Sequence, residues 1–208
     1  FDNVSVKEST KNNLARVDYD GSVSSLLVEP ERTNLIQYSE DLSVLSKVSV
    51  GTASAPITTS NYATAPDGTQ TATRVVFNLN GGTSSGDRSI LRQSLTSGSD
   101  YYFSIYVKST DGTEQKILWH DGGEYSATTV TDEWVRITYD GRPNLVFSGI
   151  ALNGTLGVDS SDILTWGFQV ETGSYPTSLI PTDGGTVTRN QDQYSKTGIS
   201  DLINSEEG

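Results

Sequence analysis

Three features of this 208-residue chain predict an all-β fold, an antiparallel β-sandwich of the jelly-roll kind. First, 28 Ser and 25 Thr make up about a quarter of the residues, and 20 Gly are scattered among them. Second, the apolar residues, 34% of the total, fall in short runs, as a thin sandwich core requires. Third, apolar and polar residues alternate with period two wherever aromatics occur, and turn signals separate the runs.

The strands are expected in this order. Arg74–Leu79 and Ile90–Leu95 come first. In Tyr101–Lys108, Tyr101, Phe103, Ile105 and Val107 share one face, and Tyr102, Ser104, Tyr106 and Lys108 the other. Gln115–Trp119 follows. In Trp134–Tyr139, Val135, Ile137 and Tyr139 oppose Trp134, Arg136 and Thr138. Leu145–Leu152 precedes Leu164–Val170, where Leu164, Trp166, Phe168 and Val170 form an apolar stripe opposite Thr165, Gly167 and Gln169. Turns are signalled at Pro66-Asp67-Gly68, Asp111-Gly112, Asp121-Gly122-Gly123, Asp140-Gly141 and Asn153-Gly154. Residues 51–61 and 80–89 read as mobile loops. Helix is scarce, with one short turn expected around Ile199–Ile203.

Composition excludes several classes. Formal net charge is -12 and the pI is near 4.4, a field that repels phosphate backbones and anionic lipid, so neither nucleic acid nor membrane is an expected partner. No apolar run approaches the roughly 20 residues of a membrane-spanning helix, and no signal-peptide pattern opens the chain. With 0 Cys there is neither a disulfide framework nor thiolate chemistry. The lone His120 argues against His-rich metal sites and a Ser/His/Asp triad. No cofactor motif is present: GGTSSGD at 81–87 lacks the GK[ST] ending of a phosphate loop, and GTSSG lacks a nucleophile elbow's setting. The chain has 0 Met and opens on Phe1, which reads as a segment cut from a longer polypeptide.

Several strings, taken together and in order, resemble carbohydrate-binding-module-like β-sandwich domains of bacteriophage tail-fibre and other virion appendage proteins. They are SLLVEPERTNLIQYSEDLS (Ser25–Ser43), APDGTQTATRV (Ala65–Val75), YYFSIYVKS (Tyr101–Ser109), EWVRIT (Glu133–Thr138) and LTWGFQVETGSYPTSLIPTDGGTVTRNQD (Leu164–Asp192). The resemblance spans Leu14–Asp192, and its last string is the most specific. It implies three segments: residues 1–13 as the end of a preceding β domain and linker, 14–192 as the sandwich, and 193–208 as a linker into a following domain. It further implies a non-enzymatic structural module of a homotrimeric fibre or spike, on the tail or the head of the particle. Such a module attaches to host-surface glycan or spaces its neighbours among other virion proteins. An accessory carbohydrate-binding module of a secreted polysaccharide-degrading enzyme is the alternative.

Sugar recognition uses aromatic rings against the apolar face of a pyranose, with polar side chains reading the hydroxyls. Tyr102 and Tyr106, four residues apart on one strand face and so roughly 13 Å apart, are one expected carbohydrate-binding pair. Trp119, His120, Asp121 and Tyr125, bracketing a glycine-rich turn, are the other; the competing reading puts Trp119 in the core. Trp134 and Trp166 are expected to pack in the core. No catalytic residue is singled out among the many carboxylates. Glu29 and Glu31 flank Pro30 in a structural corner with Arg32 as a local counter-charge. No metal is assigned: Asp159, Ser160, Ser161 and Asp162 form the densest oxygen cluster, read as a solvated turn without EF-hand spacing.

Overall fold

The computed structural model describes residues 16–20, 23–95, 101–121, 126–140 and 147–193. Phe1–Glu8 and the Ile199–Ile203 turn lie outside them. Two compact units divide the chain, one of residues 33–188 and one of residues 1–32 with 189–208.

In the second of these units, β1 (Arg16–Asp20) and β2 (Val23–Leu27) pair antiparallel, with Asp20 opposite Val23. The corner at Glu29 lies in the same unit. Its carboxylate is buried and meets the Arg189 guanidinium at 2.9 Å. The Glu29 N–H donates to Asp192 Oδ2 at 3.0 Å, and the Asp192 N–H donates back to the Glu29 carbonyl at 2.9 Å. Burial of both charges makes this pairing obligatory, since either one alone would lie desolvated.

The strands that follow are β3 (Arg32–Asn34), β4 (Ser46–Val50), β5 (Ser54–Ala63), β6 (Ala72–Asn78) and β7 (Arg88–Ser94). After them come β8 (Tyr101–Ser109), β9 (Gln115–His120), β10 (Ala127–Val130), β11 (Val135–Asp140), β12 (Phe147–Asn153), β13 (Ser160–Thr172) and β14 (Val187–Arg189). Two antiparallel sheets of 5 strands form the sandwich, ordered β10-β9-β12-β7-β4 and β11-β8-β13-β6-β5. Consecutive strands repeatedly change sheet, the jelly-roll pattern. β3 and β14 make a separate two-stranded ribbon, in which the Thr33 and Thr188 hydroxyls lie 2.7 Å apart.

The core is the layer between the sheets. Phe77 from β6, Phe103 and Ile105 from β8, Ile117 from β9, Ile150 and Leu152 from β12 and Phe168 from β13 are all fully buried. Each such side chain contributes about 1.5–3 kcal/mol on leaving water. Alternation therefore assigns faces correctly in β8 and β11: Ile137 and Tyr139 sit opposite Ile105 and Phe103 and pack on the core.

Two expectations need correction. Residues 51–61 are not a loop for most of their length, because Ser54–Ala63 is β5, the edge strand beside β6. An edge strand tolerates Pro56 and a run of exposed Ser and Thr, which hide the alternation. The apolar stripe of Leu164–Val170 is also not continuous. The β8 register shifts between Trp166 and Gln169, so two residues of β13 oppose one of β8. Gly167, at φ +65°, provides the left-handed backbone that this bulge needs. Leu164 and Trp166 consequently pair with Lys108 and Tyr106 on the outward face, while Phe168 and Val170 enter the core.

The stretch 80–89 joins a turn to the start of β7, and hydrogen bonds fix the turn. Asp87 accepts from the Thr52 N–H at 3.0 Å, from the Ser84 N–H at 2.9 Å and from Ser84 Oγ at 2.8 Å. These donors hold its carboxyl well below the ordinary carboxylate pKa. Gly154 closes onto the same turn, where a Cβ would lie 2.4 Å from the Thr83 carbonyl carbon. The Asp159–Asp162 cluster is split between two duties: Asp159 Oδ1 accepts from the Gly81 N–H at 2.6 Å, and Asp162 pairs with Arg74.

Candidate functional site

The two outward faces of the sandwich differ. On the β11-β8-β13-β6-β5 sheet, residues 177–180 are laid over the face and pinned there. Glu171, fully buried, accepts from the Thr177 N–H and hydroxyl, both at 2.7 Å. Gln169 Oε1 accepts from the Ile180 N–H at 2.7 Å, and its Nε2 donates to the carbonyls of Thr177 and Ser178 at 3.4 and 3.3 Å. Arg136 donates from Nη2 to Ser104 Oγ and to the Thr177 carbonyl, both at 2.7 Å, and its burial lowers its pKa. Asn34 holds the near end. Its amide donates to the carbonyls of Ile180 (2.9 Å) and Phe168 (3.3 Å) and accepts from the N–H groups of Ile36 and Val170, both at 3.1 Å.

This strap decides what the first expected aromatic pair can do. Tyr102 and Tyr106 do share the outward face, half-buried. Tyr106, however, packs on Trp166 with ring centroids 5.6 Å apart, and Leu179 of the strap joins the same small cluster. Trp166 is buried, its indole donating to Thr71 Oγ1 at 3.0 Å, and Trp134 packs beside it.

The outward face of the β10-β9-β12-β7-β4 sheet is built in rows. Strand register places Ala127, Leu118, Ala151, Ile90 and Val48 side by side across all five strands. Leu118, Ala151 and Ile90 are buried. To one side lies the row His120, Gly149, Arg92 and Ser46, with Phe147 and Ser94 next along it. To the other side stand Thr129 with Lys116, and Asn153 with Arg88 and Val50. Arg88, Arg92, Lys116 and Phe147 are half-buried.

Arg92, Phe147 and His120 form a layered stack. The Arg92 guanidinium carbon lies 3.6 Å from the Phe147 ring centroid, a cation–π contact. The His120 ring lies nearly parallel to Phe147, at 15° and 6.5 Å between centroids. Its Nε2 is 3.4 Å from Arg92 Nη1. Burial, with the Arg92 charge adding to it, lowers the His120 pKa to about 4, so the imidazole is neutral at pH 7. The ring is only 4% exposed, with Nδ1 buried and Nε2 facing Arg92, so it serves to pack and orient the guanidinium. Beside the stack a groove of about 350 Å³ is lined by Arg92, Ser46, Ser94, Tyr38 and Gln37. Gln93, also in its lining, is held by the Gln37 N–H (3.0 Å) and by the Leu35 carbonyl (2.9 Å).

The second group of expected residues is divided by this arrangement. His120 belongs to the stack. Trp119, only 3% exposed, packs on Phe103 and Tyr139 at 6.1 and 5.9 Å and so serves the core. Asp121 is buried and accepts from the Tyr139 hydroxyl at 3.4 Å. Tyr125 lies outside the described residues. Sequence reasoning missed Arg88, Arg92, Lys116 and Phe147. The signal was available in Arg88–Ser94, whose alternation sets two arginines on one strand face of an otherwise acidic chain. Among the described residues, no group of three or more His, Cys, Asp or Glu is arranged to hold a metal ion.

No protein-family profile matches this sequence, and no curated protein matches it. Solved structures are similar to it at a distance. A family 11 carbohydrate-binding module from Clostridium thermocellum, in complex with a β-1,3-1,4-mixed-linked tetrasaccharide, is 13% identical, with a TM-score of 0.44 over 74% of this chain and 98% of that one. A family 22 xylan-binding domain from Paenibacillus barcinonensis is 16% identical, with a TM-score of 0.39 over 69% of this chain and 94% of that one. The enzymatically active domain of tailspike protein 4 of bacteriophage CBA120 is 15% identical, with a TM-score of 0.33 over 66% of this chain and 21% of that one.

Proposed function

We propose that this chain is a non-catalytic glycan-binding module of a phage virion fibre or spike, assembled as a homotrimer and touching host-surface polysaccharide. One observation supports the glycan site above all. A guanidinium, that of Arg92, is held between an aromatic ring and a neutral imidazole, and it lines a groove large enough for a sugar. The Phe147 ring offers an apolar surface for a pyranose face, and Arg92, Ser46 and Ser94 offer hydrogen bonds to its hydroxyls. The appendage setting is supported by the ordered strings between Ser25 and Asp192.

Affinity electrophoresis through gels containing polysaccharide tests the site. Phe147→Ala should abolish the retardation seen for the parent chain, while Tyr102→Ala leaves it in place. The opposite pattern would move the site to the strapped face. Loss in neither variant, or release of reducing sugar by the purified chain, would overturn the proposal. A catalytic domain in the same polypeptide would place the module in a polysaccharide-degrading enzyme instead.

A further inference from the structure

The charges on this face point to the kind of glycan. The chain carries 26 Asp and Glu against 14 Lys and Arg. Yet the outward positions of β4, β7, β9, β10 and β12 include Arg88, Arg92 and Lys116 and, among the described residues, not one carboxylate. Asp87, next to Arg88 in sequence, is engaged in the adjoining turn. It accepts from the N–H groups of Thr52 and Ser84. Arg88 and Arg92 share one strand face four residues apart, roughly 13 Å. The buried row of Leu118, Ala151 and Ile90 separates Lys116 and Arg88 from Arg92.

We infer that the ligand of this face is an acidic glycan, one whose sugars carry carboxylates; the inference rests on the glycan-binding reading above. A guanidinium matches a carboxylate through two parallel N–H donors, a fit that a neutral sugar cannot exploit. Arg92 is already oriented for it by the Phe147 ring beneath. The overall charge does not forbid such a ligand. At physiological ionic strength the screening length is about 8 Å, so a bound carboxylate feels these cations more than acidic groups across the molecule.

The test uses the whole chain with polygalacturonate, alginate, fully methyl-esterified polygalacturonate and mixed-linked β-glucan, read by isothermal titration. Expected are binding to at least one of the two polyuronates, none to the methyl ester, and a loss of about tenfold or more in Arg92→Gln and in Lys116→Gln at unchanged melting temperature. Equal affinity for the ester or for the β-glucan would overturn the acidic-ligand inference and leave glycan binding standing. Binding to none of the four would count against both. A dimer in sedimentation that Arg92→Gln dissolves would mean that the face takes a second acidic copy of this chain, and would also overturn the inference.

Discussion

Asn34 offers the sharpest test of how the strapped face is held. The side chain is fully buried and makes four hydrogen bonds, two given and two accepted. Asn34→Ala removes the acceptor of two backbone N–H groups, those of Ile36 and Val170, in a place water does not reach. A buried donor left unsatisfied costs about 1–3 kcal/mol, so two such donors set the loss near 4 kcal/mol. Against a total stability on the order of 5–15 kcal/mol, that is a large fraction. Urea unfolding followed by tryptophan fluorescence measures it, as a lower midpoint with an unchanged slope. Asn34→Leu separates the causes, because it fills the space yet leaves the same N–H groups unpaired. It should be no more stable than the alanine variant. A loss below 1 kcal/mol in the alanine variant, or full recovery with leucine, would refute the hydrogen-bond account.

Other expectations concern single sites. His120 has a folded-state pKa of about 4 against an ordinary 6.5, so the unfolded chain takes up a proton first as pH falls. Stability should therefore decline from about pH 6.5 to about pH 4, and His120→Gln should flatten that part of the difference curve. Asp87, held low in the folded state, contributes stability that is present at neutral pH and lost only in stronger acid; Asp87→Asn should be less stable at pH 7 by thermal melting, and the gap should narrow only as pH falls below the ordinary carboxylate range. Gly167→Ala puts a Cβ 3.2 Å from carbons of Leu179 and Tyr106 on a left-handed residue, a loss of about 1–2 kcal/mol by urea titration. The Arg74–Asp162 pair is about 30% exposed, and Asp162→Asn should change stability by no more than about 1 kcal/mol.

Alternation made most of the sandwich readable, because strands with one buried face repeat every two residues. All seven strands expected from it are present, with ends moved by a few residues. It failed where that premise fails. β5, at a sheet edge, has exposed residues on both faces and carries no stripe. In β13 the run Leu164, Trp166, Phe168, Val170 looks continuous, and only the backbone at Gly167 divides it between core and outer face. Long-range partners were equally hidden. Nothing local to Glu29 identifies Arg189, and nothing near Tyr106 announces that Leu179 returns to lie on it. The face bearing Phe147 escaped notice for a different reason: its residues come from three strands, and only register assembles the row.

The polar edge at β5 bears on life at high concentration. Its pairing with β6 slips twice, Asn61 twists to φ +53°, and Pro56 removes an amide. A neighbouring sandwich thus finds no straight ladder to extend along this edge. A copy approaching from that side meets side chains rather than a row of bare peptide groups.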